Sequence, residues 1–179
     1  MESLIKSTRD QNFSALITVV ISDNKLAPGI GLAKKYNVPV EIFDKKKFDK
    51  SQFETSAQRV LLNYKIGIIC LAGFMQILSK NFISMWENKI INIHPSYLPK
   101  NKGLNPQKQV IDERAPFTGC TVHFVNEKVD SGKIILQEKV RITQNDNVQS
   151  LSNRILQREH EIYPKALNQI ASNMIRLKN

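Results

Sequence analysis

The sequence predicts an α/β fold: an open, mostly parallel sheet with helices on both faces, forming one domain over residues 1–179. Three observations carry this. Short apolar runs alternate with amphipathic stretches in the order β-α-β-α-β-α-β, the pattern of parallel strands joined by crossover helices. One run, "IGIICLAGF" at 66–74, is apolar almost throughout, as expected of a strand buried on both faces. At 179 residues the chain has the length of one globular domain with a sizeable core.

The elements follow in order. "MESLIKS" reads as a helix, although such sheets ordinarily begin with a strand. "ALITVVISD" (15–23) is a strand run ending in Ser-Asp-Asn, and "APGIGLAKKYN" (27–37) is a helix with Pro28 near its start. "VPVEIFD" (38–44) is the second strand. "KSQFETSAQRVLLNYK" (50–65) places apolar residues at 53, 57, 60, 61 and 64, a helical stripe. After the apolar strand at 66–74, "ILSKNFISMWENK" supplies a short helix and "IINIH" (90–94) another buried strand. "NPQKQVIDERA" (105–115) is helical. "TGCTVHFVNE" (118–127) and "GKIILQEKVRI" (132–142) are longer strands separated by the turn-like "KVDSG". The segment 148–177 has helical spacing that Pro164 is expected to break.

Composition narrows the function classes. The net charge is +10, but the lysines are spread along the chain, and acids interrupt the one cluster, "DKKKFDK" at 44–50. A solvated basic surface is therefore expected rather than a nucleic-acid patch. No run has the length of a membrane span, and the N-terminus lacks the apolar segment of a signal peptide. A cytoplasmic protein that binds neither nucleic acid nor membrane is expected. Cys70 and Cys120 lie in apolar contexts without metal-ligand spacing, so buried thiols and no metal site are expected.

One constellation can do chemistry. In "IINIHPSYLPKNKGL" the alternation Ile91-Asn92-Ile93-His94 turns Asn92 and His94 to one face, and Pro95 ends the strand. Open α/β sheets bind ligands at such carboxyl strand ends. Asp130, in "KVDSGKI", supplies a carboxylate. Singly, His94 reads as a structural histidine, Asn92 as a loop crosslink and Asp130 as an Asx-turn residue. Together they suit acyl transfer. Attack of an amine on a formyl carbonyl collects negative charge on oxygen, which the Asn92 amide and a protonated His94 can stabilise. Asp130 favours the charged imidazole, fixes its orientation, and can help remove the amine proton. With no nucleophilic Ser or Cys beside a base, transfer is expected to be direct.

"LAGFMQILS", "INIHPSYLPKNKGL", "TGCTVHFVNEKVDSGKIILQ" and "REHEIYPKAL" together resemble the phosphoribosylglycinamide formyltransferases of purine biosynthesis, over nearly the whole chain. The resemblance implies a Rossmann-like formyltransferase fold and transfer from 10-formyltetrahydrofolate to glycinamide ribonucleotide without a metal. It implies a catalytic trio at Asn92, His94 and Asp130. It places the folate pteridine against the backbone of Met75, Gln76, Ile77 and Leu78 and against Asn126, Glu127, Lys128, Val129 and Asp130, with Asn92 also in contact. Gln76 stands where the family commonly has Arg. Lys50 falls where a family Arg lies near the folate tail, and it keeps the charge without the bidentate fork. Glu159 matches the acid that holds the nucleotide's ribose hydroxyls, while "LNPQKQ" after Gly103 departs from the family's His-containing versions. A monomer or homodimer is implied.

Relatives sharing the trio leave alternatives open: methionyl-tRNA formyltransferases, formyltetrahydrofolate hydrolases, or a non-catalytic folate-binding module. The family opens with a strand and a Gly-x-Gly-Ser-Asn turn that cradles the substrate phosphate. Here "MESLI" aligns with the helix after that turn, so the first strand and the turn are expected to be missing. Two explanations stand: a start upstream of Met1, favoured because the other motifs are intact, or a shortened relative.

Overall fold

The computed structural model describes residues 1–176. The chain divides into two compact units, Met1–Gly67 with the segment from Ala171, and Ile68–Ile170.

In the first unit, α1 (Glu2–Ser7), β1 (Val20–Ser22), α2 (Pro28–Lys35), β2 (Val40–Ile42) and α3 (Lys50–Asn63) follow the expected order with shorter strands. β1 and β2 pair in parallel, Val20 opposite Val40. Pro28 opens α2, where its missing N–H costs nothing. A capping box closes the start of α3: the Asp49 carboxylate takes the Gln52 N–H and the Gln52 side chain takes the Asp49 N–H. Ile5, Ala33 and Val38 form a small core against Met1, Ile17, Val20, Tyr36 and Val40.

The second unit contains β3 (Ile69–Leu71), α4 (Lys80–Met85), β4 (Ile90–His94), α5 (Pro106–Asp112), β5 (Phe117–Phe124), β6 (Ile134–Arg141) and the body of α6 (Val148–Arg176). Its sheet runs β3-β4-β5-β6. β3 and β4 are parallel, whereas β4–β5 and β5–β6 are antiparallel. The core lies on Ile90, Ile91, Cys120 and Val122 of the sheet and on Leu151 and Ile155 of α6, all buried.

Three differences from expectation have physical reasons. The described strands form two sheets, because alternation predicts which segments are extended but not which edges pair. β3 is the edge of its sheet and is therefore half-buried rather than covered on both faces. α6 runs through Pro164 without a break. The proline removes one backbone donor, but Ile162, Tyr163, Ala166 and Leu167 are all buried around it, and that packing sustains the helix. Leu177, predicted as the last helical residue, lies outside the described residues.

Candidate active site

β4 delivers Asn92 and His94 to its carboxyl end. In the β4–β5 ladder Asn92 lies opposite His123 and His94 opposite Thr121, so these four side chains share one face. The strand stops at Pro95, and the following loop is tied to the sheet by a buried hydroxyl. Thr121 Oγ1 donates to the Ser96 carbonyl at 2.7 Å and accepts the Leu98 N–H at 3.1 Å. Gln137 Nε2 donates to the Leu98 carbonyl at 2.8 Å. On α6, the Tyr163 hydroxyl lies 2.8 Å from the Leu71 carbonyl at the end of β3 and 3.0 Å from that of Ile91 within β4, its one hydrogen shared between them.

Asp130 enters from the β5–β6 connection in a left-handed conformation, φ +47°. The turn is held by Asn126, whose Oδ1 accepts the Lys128 N–H at 3.0 Å, and by the Ser131 N–H donating to the Lys128 carbonyl at 3.2 Å. This geometry brings Asp130 Oδ2 to 3.3 Å from His94 Nδ1, with side chains 9% and 7% exposed. The same oxygen accepts the Gly103 N–H at 2.9 Å. Oδ1 lies 3.6 Å from His123 Nε2. Burial pushes the Asp130 carboxyl upward, but His123, the Gly103 N–H and the charge offered by His94 outweigh it and hold it below the usual carboxylate range. His94 Nε2 sits 3.0 Å from the Asn101 carbonyl. The Asn92 side chain is half-buried and makes no hydrogen bond among the described residues.

The arrangement pairs an imidazole with a carboxylate and sets an amide two positions earlier on the same strand face, groups that can stabilise a developing oxyanion. Among the described residues no group of three or more His, Cys, Asp or Glu side chains is arranged to hold a metal ion. Cys70 and Cys120 are free, and burial pushes both thiols up to about 12.

The remaining predicted positions lie as follows. Met75 and Ile77 are largely exposed on the β3–α4 loop, Gln76 is half-buried, and Leu78 is buried. Asn126 to Val129 form the exposed rim of the Asp130 turn. Glu127 pairs with Lys80 at 3.0 Å, which links this turn to the start of α4. Glu159, on α6, is half-buried, and burial pushes its carboxyl up to about 7; no ion pair or hydrogen bond joins it to the trio among the described residues. Lys50 is the exposed first residue of α3, in the first unit. Sequence reasoning missed His123 and Gly103. The polar residue in the apolar run "TVHFV" was the signal available for the first, and the glycine of "KNKGL" for the second.

Comparison with known proteins adds a second line. The formyl transferase family matches residues 1–167. The chain belongs to this family. A phosphoribosylglycinamide formyltransferase of Haemophilus influenzae is 35% identical over all of this chain and 85% of its own length. The trifunctional purine biosynthetic protein adenosine-3 of Bos taurus is 44% identical over 99% of this chain, which spans only 18% of the bovine protein. Among solved structures, glycinamide ribonucleotide transformylase 1 from Symbiobacterium toebii superposes with a TM-score of 0.92 at 35% identity, covering 96% of this chain and 82% of that one. This formyl transferase therefore shares its fold with enzymes of that name.

Proposed function

We propose that the chain transfers the formyl group of 10-formyltetrahydrofolate to the amine of glycinamide ribonucleotide, in purine biosynthesis, as a single cytoplasmic formyltransferase domain that is a monomer or homodimer. The observation that carries this reading is the 3.3 Å approach of His94 to Asp130, with Asn92 two positions earlier on the same strand. Family membership and the names of the relatives support it.

In this reading the folate supplies the formyl carbon, and the protein supplies position and charge. Asn92 aims an N–H at the carbonyl oxygen that gains negative charge. His94 adds the Nε2 hydrogen, the one the Asn101 carbonyl accepts in this structure. Asp130, held as a carboxylate by its donors, orients the imidazole, takes up the proton that leaves the amine and returns it to the folate nitrogen as that nitrogen's bond to the formyl carbon breaks. The exposed apolar side chains of Met75, Ile77 and Val129 border the loops assigned to the pteridine and offer surface to a flat ring. Glu159 accepts the ribose hydroxyls, and Lys50 draws the anionic folate tail.

The test is a formyl-acceptor assay with radiolabelled 10-formyltetrahydrofolate, offering glycinamide ribonucleotide and initiator tRNA in parallel. Label is expected in the ribonucleotide alone. Label in tRNA, or release of formate without acceptor, overturns the reading.

A further inference from the structure

Three proton-accepting heads converge in the sheet. His94 Nδ1 and His123 Nε2 face the two oxygens of Asp130, at 3.3 and 3.6 Å. The outer nitrogen of each ring is already committed: His94 Nε2 to the Asn101 carbonyl at 3.0 Å, His123 Nδ1 to the Phe124 carbonyl at 2.8 Å. A carbonyl only accepts, so each outer nitrogen carries the hydrogen. A neutral ring then turns a bare lone pair toward the carboxylate. Two lone pairs against a buried carboxylate repel, and a proton held between them removes that repulsion. His123 Nε2 is buried and has no hydrogen-bond partner within bonding distance.

The two carboxylate oxygens divide the work. Oδ2 takes the Gly103 N–H and faces His94, whereas Oδ1 faces His123. The His123 ring is fixed by a close approach that only glycine permits. A Cβ at Gly132 would fall 1.6 Å from the Phe124 carbonyl oxygen and 3.4 Å from His123 Nδ1. Gly132 therefore lets that carbonyl lie where it sets the His123 tautomer.

We propose that His123 is a positioning residue for formyl transfer: its buried Nε2 pairs with Asp130 Oδ1 across 3.6 Å and so keeps Oδ2 turned to His94. This rests on the reading of the site as a formyl transfer centre. His123 itself touches no reacting atom. Its loss leaves a buried carboxylate oxygen without the group that faces it, and Asp130 is then free to turn away from His94.

The test pairs His123→Leu, which keeps apolar volume, with His123→Gln, whose amide can still donate to Oδ1. The Leu variant is expected to lose kcat on the order of 100-fold with KM within about threefold, and the Gln variant to recover most of the loss. Wild-type kcat in the Leu variant, or equal losses in two folded variants, overturns the proposal. Ring-nitrogen NMR of the otherwise unchanged protein decides the matter if a variant does not fold. The His123 Nε2 resonance is expected to move toward the bare-nitrogen position in Asp130→Asn. A resonance that does not move overturns the pairing. Absence of transfer by the wild-type chain sinks the functional reading instead, and the spectrum still decides whether His123 and Asp130 are paired.

Discussion

The backbone N–H of Gly103 donates to Asp130 Oδ2 at 2.9 Å, across 27 residues of sequence. Gly103 adopts φ +78°, open only to glycine at little strain, and a Cβ there would meet nothing within 4 Å. Gly103→Ala is therefore a test of strain without a clash. A loss of about 1 kcal/mol in stability is expected by urea unfolding, with kcat falling further than stability accounts for.

Asp130→Asn replaces the carboxylate by an amide of the same size. Turnover is expected to fall on the order of 10²–10⁴-fold with an unchanged circular dichroism spectrum. Asn92→Ala removes a donor and is expected to cost on the order of 100-fold or more in kcat. Near-normal kcat in either variant counts against the assigned chemistry.

Glu159 carries a pH dependence with a definite sign. Burial raises its folded-state carboxyl to about 7, above the unfolded value, so the folded chain holds a proton that the unfolded chain has released. That stabilisation is complete below the ordinary glutamate range and disappears as pH rises to about 7. Melting temperatures measured across this window should decline in the wild type and stay level in Glu159→Gln. Binding should move oppositely, because the ionised carboxylate is the better acceptor of ribose hydroxyls. The KM for glycinamide ribonucleotide is expected to fall as pH rises through about 7, and to be flat in the Gln variant.

Asp146 shows the reverse linkage. Arg154 at 2.6 Å, with the Thr143 N–H and the Ser150 hydroxyl, holds its carboxyl far below the usual range against the opposing effect of burial. Its stabilisation is present above the unfolded value and is lost only as pH falls through the depressed one. Asp146→Asn is expected to lower stability by about 1–3 kcal/mol at pH 7, measured by chemical denaturation, with the difference shrinking under acid conditions.

Thr121→Val keeps shape and removes the hydroxyl that serves Ser96, Leu98 and Gln137. It leaves buried backbone groups without partners, at a cost of about 1–3 kcal/mol. At roughly 2–4 °C per kcal/mol for a chain of this size, calorimetry resolves the change.

Much of the site was legible because it is local. Asn92 and His94 share a face by strand alternation, and Pro95 marks where the strand ends. Asp130 came from a turn motif and from resemblance, and its approach to His94 then follows from the fold. His123 was not legible, since a lone histidine in an apolar strand reads as core. Only the register that sets it opposite Asn92, decided by pairing distant segments, gives it a role. Gly103 escaped for the same reason: its partner lies in another loop. Pro164 misled because a local rule about helix interiors yields to buried packing on either side. The pairing of strands into two sheets was likewise beyond periodicity, which carries no information about edges.

The Asn101 carbonyl already holds the His94 Nε2 hydrogen that the proposed function assigns to a substrate oxygen. Any oxygen that is to take that hydrogen must first evict a neighbour already attached to the chain. One ordinary hydrogen bond is worth about 1 kcal/mol, so apparent affinity is weakened roughly fivefold. Occupants too small or too weakly held to dislodge it, water among them, meet an imidazole already engaged on both sides.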